Sequence, residues 1–155
     1  MTAPSWFTRL AQWLETRPPG RAVAVCFPSY RPDLVTDLAM AAGLNLVDFR
    51  KTVMQPMGWQ AGQLPLSSLN EAANAVHATG TGVVLMNAEA LLAVSPAAER
   101  RRWLADTLAH EWPHRLVLPI ALFAHELPDL PEQVTHLAPA ELPAESLLTR
   151  LGSLS

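Results

Sequence analysis

The sequence predicts an α/β domain, a three-layer α/β/α sandwich around a mainly parallel sheet of four or five strands. Three features carry that expectation. Short continuous apolar runs, RAVAVCF at 21–27, GVVLM at 82–86 and RLVLPIAL at 115–122, read as strands covered on both faces. The stretches between them repeat their apolar residues at helical spacing. Prolines and glycines punctuate the junctions, and strands alternating with helices in this way build a parallel sheet.

In chain order, Pro4–Glu15 is expected to form an amphipathic helix with Trp6, Leu10, Trp13 and Leu14 on one face, ended by Pro18-Pro19-Gly20. The strand Arg21–Phe27 follows. Pro32 and Asp33 then open a helix with Leu34, Val35, Leu38 and Ala42 inward and Gly43 at its C-terminal cap. Leu44–Val53 reads as the second strand and Met54–Gly62 as a loop. Leu64–His77 reads as a helix through Leu66, Leu69, Ala73 and Val76, and Val83–Met86 as the third strand. Pro96 opens a helix to about Glu111 through Trp103, Leu104 and Leu108. Leu116–Phe123 is the fourth strand. Within it, Pro119 has no N–H for a ladder and marks an edge position, a bulge or an early end. A short strand over Gln133–Leu137 and a helix over Ala144–Leu151 complete the pattern. The 155 residues are expected to form one domain: an N-terminal helix within 1–17, an α/β core over 21–138 and a C-terminal helix within 144–154.

Composition narrows the function. Half the residues are apolar and 16% are charged, as a packed core requires. A net charge of −3 supplies no long-range attraction to nucleic acid or an anionic membrane. No run approaches the ~20 apolar residues of a membrane span, and Met1–Leu14 lacks the pattern of a signal peptide. Cys26 is the single cysteine, so a reducing, cytoplasmic setting is expected.

Ligands of such sheets bind outside the carboxyl ends of the strands. Ser29, Tyr30 and Arg31 follow the first strand there, with Arg31 suited to a phosphate or carboxylate and the next helix offering N–H groups to an anion. Asp48, Arg50 and Lys51 follow the second strand toward the same edge. A cysteine phosphatase needs arginine six positions after its cysteine; position 32 is proline. Ser29 has no flanking glycines, so a hydrolase nucleophile elbow is absent. His110-Glu111-Trp112-Pro113-His114 matches the zinc-protease pattern H-E-x-x-H. Pro113 breaks the helix that would put His110 and His114 on one face with Glu111 beside the metal. A metal site is therefore not expected.

Gly82–Leu92, GVVLMNAEALL, resembles the Walker-B strand of P-loop ATPases of the RecA-like and AAA type, and RLVLPIAL stands in the place of their sensor strand. The resemblance extends over roughly Ala22–Leu137. It puts Asn87 where the metal-linked aspartate would be and Glu89 toward the water-positioning role. Walker A is missing: Pro28-Ser29-Tyr30-Arg31 has no glycine, and the lone lysine, Lys51, lies elsewhere. The chain thus resembles a degenerate P-loop NTPase-like domain, and is similar in length and layout to the small P-loop-like accessory protein of BREX-type phage-defence operons.

The resemblance implies a non-catalytic binding or assembly subunit without cofactor, partnered by another protein such as an ATPase or by its own copies. Contacts are expected from Trp6 and Trp13 on the N-terminal helix, from Trp59 in its loop, and from Arg100 and Arg101. Two enzymes are the alternatives: an atypical nucleotide-binding enzyme using Ser29, Arg31 and Glu89, or a zinc hydrolase through His110, Glu111 and His114.

Overall fold

The computed structural model describes residues 5–75 and 82–146. Five strands form one parallel sheet: β1 (Val23–Cys26), β2 (Asn45–Asp48), β3 (Val83–Met86), β4 (Leu116–Ile120) and β5 (Val134–His136). Their order is β2-β3-β4-β1-β5. The helices are α1 (Ser5–Glu15), α2 (Pro32–Ala42), α3 (Gln55–Met57), α4 (Ser67–Asn74), α5 (Ala88–Leu92) and α6 (Ala97–Ala109).

Alternating strand residues feed two cores, which is what a sheet covered on both faces requires. Val23 and Val25 of β1, Val84 and Met86 of β3 and Val117 of β4 meet Leu10 and Leu14 of α1 and Leu34 and Leu38 of α2. Ala24, Cys26, Val83, Leu85, Leu116 and Leu118 point the other way, against Leu69, Leu91, Leu104 and Leu108. The three-layer α/β/α sandwich follows from these two faces.

At the amino edge of the sheet, Arg115 precedes β4 and donates to the carbonyls of Leu14 and Arg17, at 2.8 and 3.1 Å, closing the end of α1. Burial lowers its pKa from the ordinary arginine value. Gly82 lies beside it with φ 132°, and a Cβ there would stand 2.5 Å from the Arg115 carbonyl oxygen. Only glycine fits that approach. Gly43 caps α2 in the left-handed conformation, φ 69°, where the sequence places it.

Several boundaries differ from the sequence reading. β2 ends at Asp48, not at Val53. The Asp48 carboxylate accepts the Lys51 N–H at 3.2 Å and turns the chain into a π-helical turn over Arg50–Met54. Phe49 is thereby fully buried, with Val53 and Met54 packed beside its core. The loop expected over 54–62 is instead helical: α3 followed by a 3₁₀ segment over Gly58–Gln63. β4 stops at Ile120. The expected termini at Pro4 and at 76–77 lie outside the described residues. So does most of the expected C-terminal helix, residues 147–154, while 144–146 are irregular.

Pro119 sits in a central strand, flanked by β3 and β1. Pairing with β1 runs through it to Ile120, but pairing with β3 stops at Val117. A proline with no N–H cannot extend a ladder, so β3 and β4 part before their carboxyl ends. Among the described residues no helix is long and apolar enough to cross a membrane.

Candidate functional site

The parting of β3 from β4 leaves a cleft of about 320 Å³ at the carboxyl edge of the sheet, with walls that include Phe27, Val35, Met86, Ala90, Pro119 and Ile120. Ser29, Tyr30, Arg31, Asn87 and Glu89, the residues singled out from the sequence as ligand-binding candidates, all line it. The topology brings them together because β1, β3 and β4 are neighbours and end on the same side.

Asn87 follows β3 with φ 65°, the one non-glycine residue in the left-handed region among the described residues. Asparagine tolerates that conformation better than most side chains. Its amide joins two neighbouring elements: the Tyr30 hydroxyl donates to Oδ1 at 2.8 Å, and Nδ2 donates to Asp48 Oδ1 at 2.7 Å. A carboxylate at this position would put oxygen against the oxygen of Asp48, so the neighbour accounts for the amide. Asn87 links the ends of β1 and β2.

Glu89, in the first turn of α5, is nearly buried. Its Oε1 accepts the Ala121 N–H at 2.7 Å, and Oε2 accepts those of Leu122 and Phe123 at 2.6 and 2.9 Å. Three consecutive amides after a strand are an anion-binding concavity, and here the anion is the protein's own side chain. Glu89 is engaged with the backbone that turns the chain at the end of β4. Cys26 lies close by; burial first, and then the Glu89 charge, pushes its thiol up to about 12. It remains a protonated, inert thiol at neutral pH.

The junction after β1 follows the same logic. Arg31 grips Asp33 with two N–H groups, at 3.1 and 2.9 Å, and donates to the carbonyls of Pro143 and Ala144 at 3.0 and 3.3 Å. The Arg31 guanidinium holds the Asp33 carboxyl below the usual aspartate range, with the backbone N–H groups of Leu34 and Asp33 adding to the effect. Thus the helix N-terminus expected to attract an outside anion already has one, and Arg31 pins the segment after β5. Ser29 is exposed at the cleft and makes no side-chain hydrogen bond to a described residue.

The proposed contact residues separate. Trp6 is buried, 2% exposed, between Phe7 and Phe27, and is a core residue. Trp13 is half-buried beneath the Arg17 guanidinium. Arg100 is bidentate on Glu126 at 2.9 and 3.1 Å and lies over the Phe123 ring, so it fastens α6 to the loop after β4. Arg101 reaches the same Glu126 from solvent, leaving an exposed stem. Trp59 is 81% exposed and is the one tryptophan among the expected contacts that presents its ring to solvent.

The H-E-x-x-H segment is not a helical turn. α6 ends at Ala109, one residue before His110, which is extended, and Glu111 forms an antiparallel bridge with Arg21. His110 stacks edge-on to Trp112, and His114 Nδ1 faces the Arg115 carbonyl. No group of three or more His, Cys, Asp or Glu side chains able to hold a metal forms among the described residues.

Asp33, Pro119 and the amides at 121–123 shape this edge without having been singled out as site residues. An acidic residue in the first helical turn, two positions after Arg31, was a readable signal. The backbone donors that receive Glu89 leave no trace in composition or spacing. Comparison with protein-family models, curated proteins and solved structures finds no match to the chain.

Proposed function

We propose that the chain is a non-catalytic binding and assembly subunit built on a degenerate P-loop NTPase-like domain, acting in the cytoplasm as an accessory factor of a bacterial defence or ATPase complex. The observation that carries this reading is the internal neutralisation of the carboxyl edge. Glu89 fills the amide concavity after β4, Asp33 fills the N-terminus of α2, and Asn87 is tied between Tyr30 and Asp48. A bound triphosphate draws on free backbone amides and an open helix N-terminus, and its metal on a free carboxylate; at this edge such groups are already engaged. A protein partner needs none of them, and a largely exposed tryptophan such as Trp59 suits an interface anchor.

The test is a thermal-shift series on the purified chain with ATP, GTP and magnesium. No stabilisation is expected at millimolar nucleotide. A clear upward shift that Arg31→Ala abolishes would overturn the reading in favour of a nucleotide-binding enzyme. The assembly half is checked by co-purification from the native host, in which Trp59→Ala should deplete a partner that the unaltered chain retains.

A further inference from the structure

We propose that the carboxyl-edge cleft binds a small amphiphilic anion, an apolar body lodged where β3 and β4 part, carrying one anionic head group held by Arg50. This goes beyond the assembly role and does not depend on it. The volume, about 320 Å³, lies at the lower end of the roughly 300–1,000 Å³ of ligand pockets, which suits a small molecule lined mainly by apolar side chains with a few polar anchors.

The lining has that composition. Phe27, Val35, Met86, Pro119 and Ile120 form the apolar body of the cleft. Tyr30 and Leu122, 53% and 61% exposed, stand at the same site with apolar surface that a ligand would cover. Burial of such surface is the main driving force available.

Charge selects the head group. Arg31 and Glu89 also line the cleft, but Arg31 is neutralised by Asp33, and the Glu89 charge is dispersed over three amides. Arg50, exposed in the first turn after β2, forms no ion pair with a described residue. Its guanidinium suits a carboxylate or a phosphate monoester equally, since both accept its paired N–H groups. Ser29 lines the same cleft from the end of β1, on the side away from Arg50. An uncharged apolar ligand would fill the cleft but leave Arg50 unanswered.

Isothermal titration calorimetry of the full chain with octanoate, octyl phosphate and octanol, all below their aggregation limits, tests this. At least one anion should bind about tenfold or more tighter than octanol, the usual margin for a charge-assisted hydrogen bond. Arg50→Gln should erase that margin while leaving octanol affinity unchanged, and Ala93→Trp, at an exposed position lining the cleft, should weaken every probe. Thermal melts verify that both variants fold. Octanoate binding tighter than octyl phosphate identifies a carboxylate ligand, and the reverse order a phosphate ester. Three results overturn the proposal: anions no tighter than octanol, a margin that survives Arg50→Gln, or amide NMR shifts that avoid Ala90 and Leu122. None of these bears on nucleotide binding, which the thermal-shift series reads separately.

Discussion

The two carboxyl-edge junctions solve one problem with different strength. After β1, Asp33 sits at a helix N-terminus beside Arg31, two residues away, and both side chains keep some contact with solvent. At the end of β3, Glu89 is nearly buried and receives amides 32 to 34 positions along the chain. The first is a local, screened pair of the kind worth about 1 kcal/mol or less. The second is a long-range anchor whose removal strands three donors, each unsatisfied donor costing ~1–3 kcal/mol. An acidic residue beside an anion-binding backbone can therefore be an ornament of one turn or a clamp between two elements, and the distance along the chain decides which.

Glu89→Gln tests the clamp and should have the largest effect. It retains the volume but turns an amide N–H₂ toward backbone donors, and a loss of about 2–4 kcal/mol is expected in urea unfolding. A change below about 1 kcal/mol would mean that the amides at 121–123 find water instead. Asn87→Asp comes next. The new carboxylate would face Asp48 across the present 2.7 Å contact, costing about 1–3 kcal/mol at pH 7. Repulsion raises the pKa of one member of the pair, so the deficit should shrink as pH falls below about 5 and that carboxyl takes up a proton. A deficit that does not change with pH would assign the loss to backbone strain.

Arg31→Ala probes the weaker junction; it removes the Asp33 pair, worth about 1 kcal/mol or less, together with the hydrogen bonds to the Pro143 and Ala144 carbonyls, for a total of about 1–2 kcal/mol. Its pH dependence has a definite sign. Because Arg31 depresses the Asp33 pKa, their stabilisation is complete above the ordinary aspartate value of about 3.9 and disappears as pH falls through the lower folded value. The gap between the unaltered chain and Arg31→Ala should stay constant from pH 7 to 5 and narrow below about pH 4 to the part due to the carbonyl bonds at 143 and 144. Trp59→Ala sets the baseline: 81% exposed, it should change stability by no more than ~0.5 kcal/mol, while its effect on partner capture is read separately.

Much of the fold was legible because it follows from apolar periodicity. The run VAVC, flanked by Phe27 and Pro28, could only be a covered strand, and Val83–Met86 falls where the apolar run puts it. The C-terminal half of Leu44–Val53 was misread because Phe49 and Val53 are apolar at a spacing that suits a helix as well as a strand, and the arbiter was the Asp48 carboxylate capping Lys51. At the cleft, the residues singled out from the sequence line one cavity, but the partners of three of them were not legible. Arg31, Asn87 and Glu89 do converge; Asn87 and Glu89 are bound by partners that only the tertiary structure brings near, and Arg31 adds to its neighbour Asp33 two carbonyls that the tertiary structure supplies. Two of those partners are backbone groups, the carbonyls at 143–144 and the amides at 121–123. Backbone groups are identical at every residue, so no pattern of side chains announces them. Trp6 and Arg100 were misassigned to the surface for a related reason: an amphipathic face and a charge cluster look alike whether their partner is solvent or the next element.

The Glu89 clamp also sets what can compete for this edge. The carboxylate is tethered three residues beyond the end of β3, so its effective concentration at the amides of 121–123 is on the order of millimolar or higher before any gain from the rigid geometry. A soluble phosphate must outbid a competitor that never diffuses away. The amides at 121–123 are consequently occupied by the fold's own carboxylate.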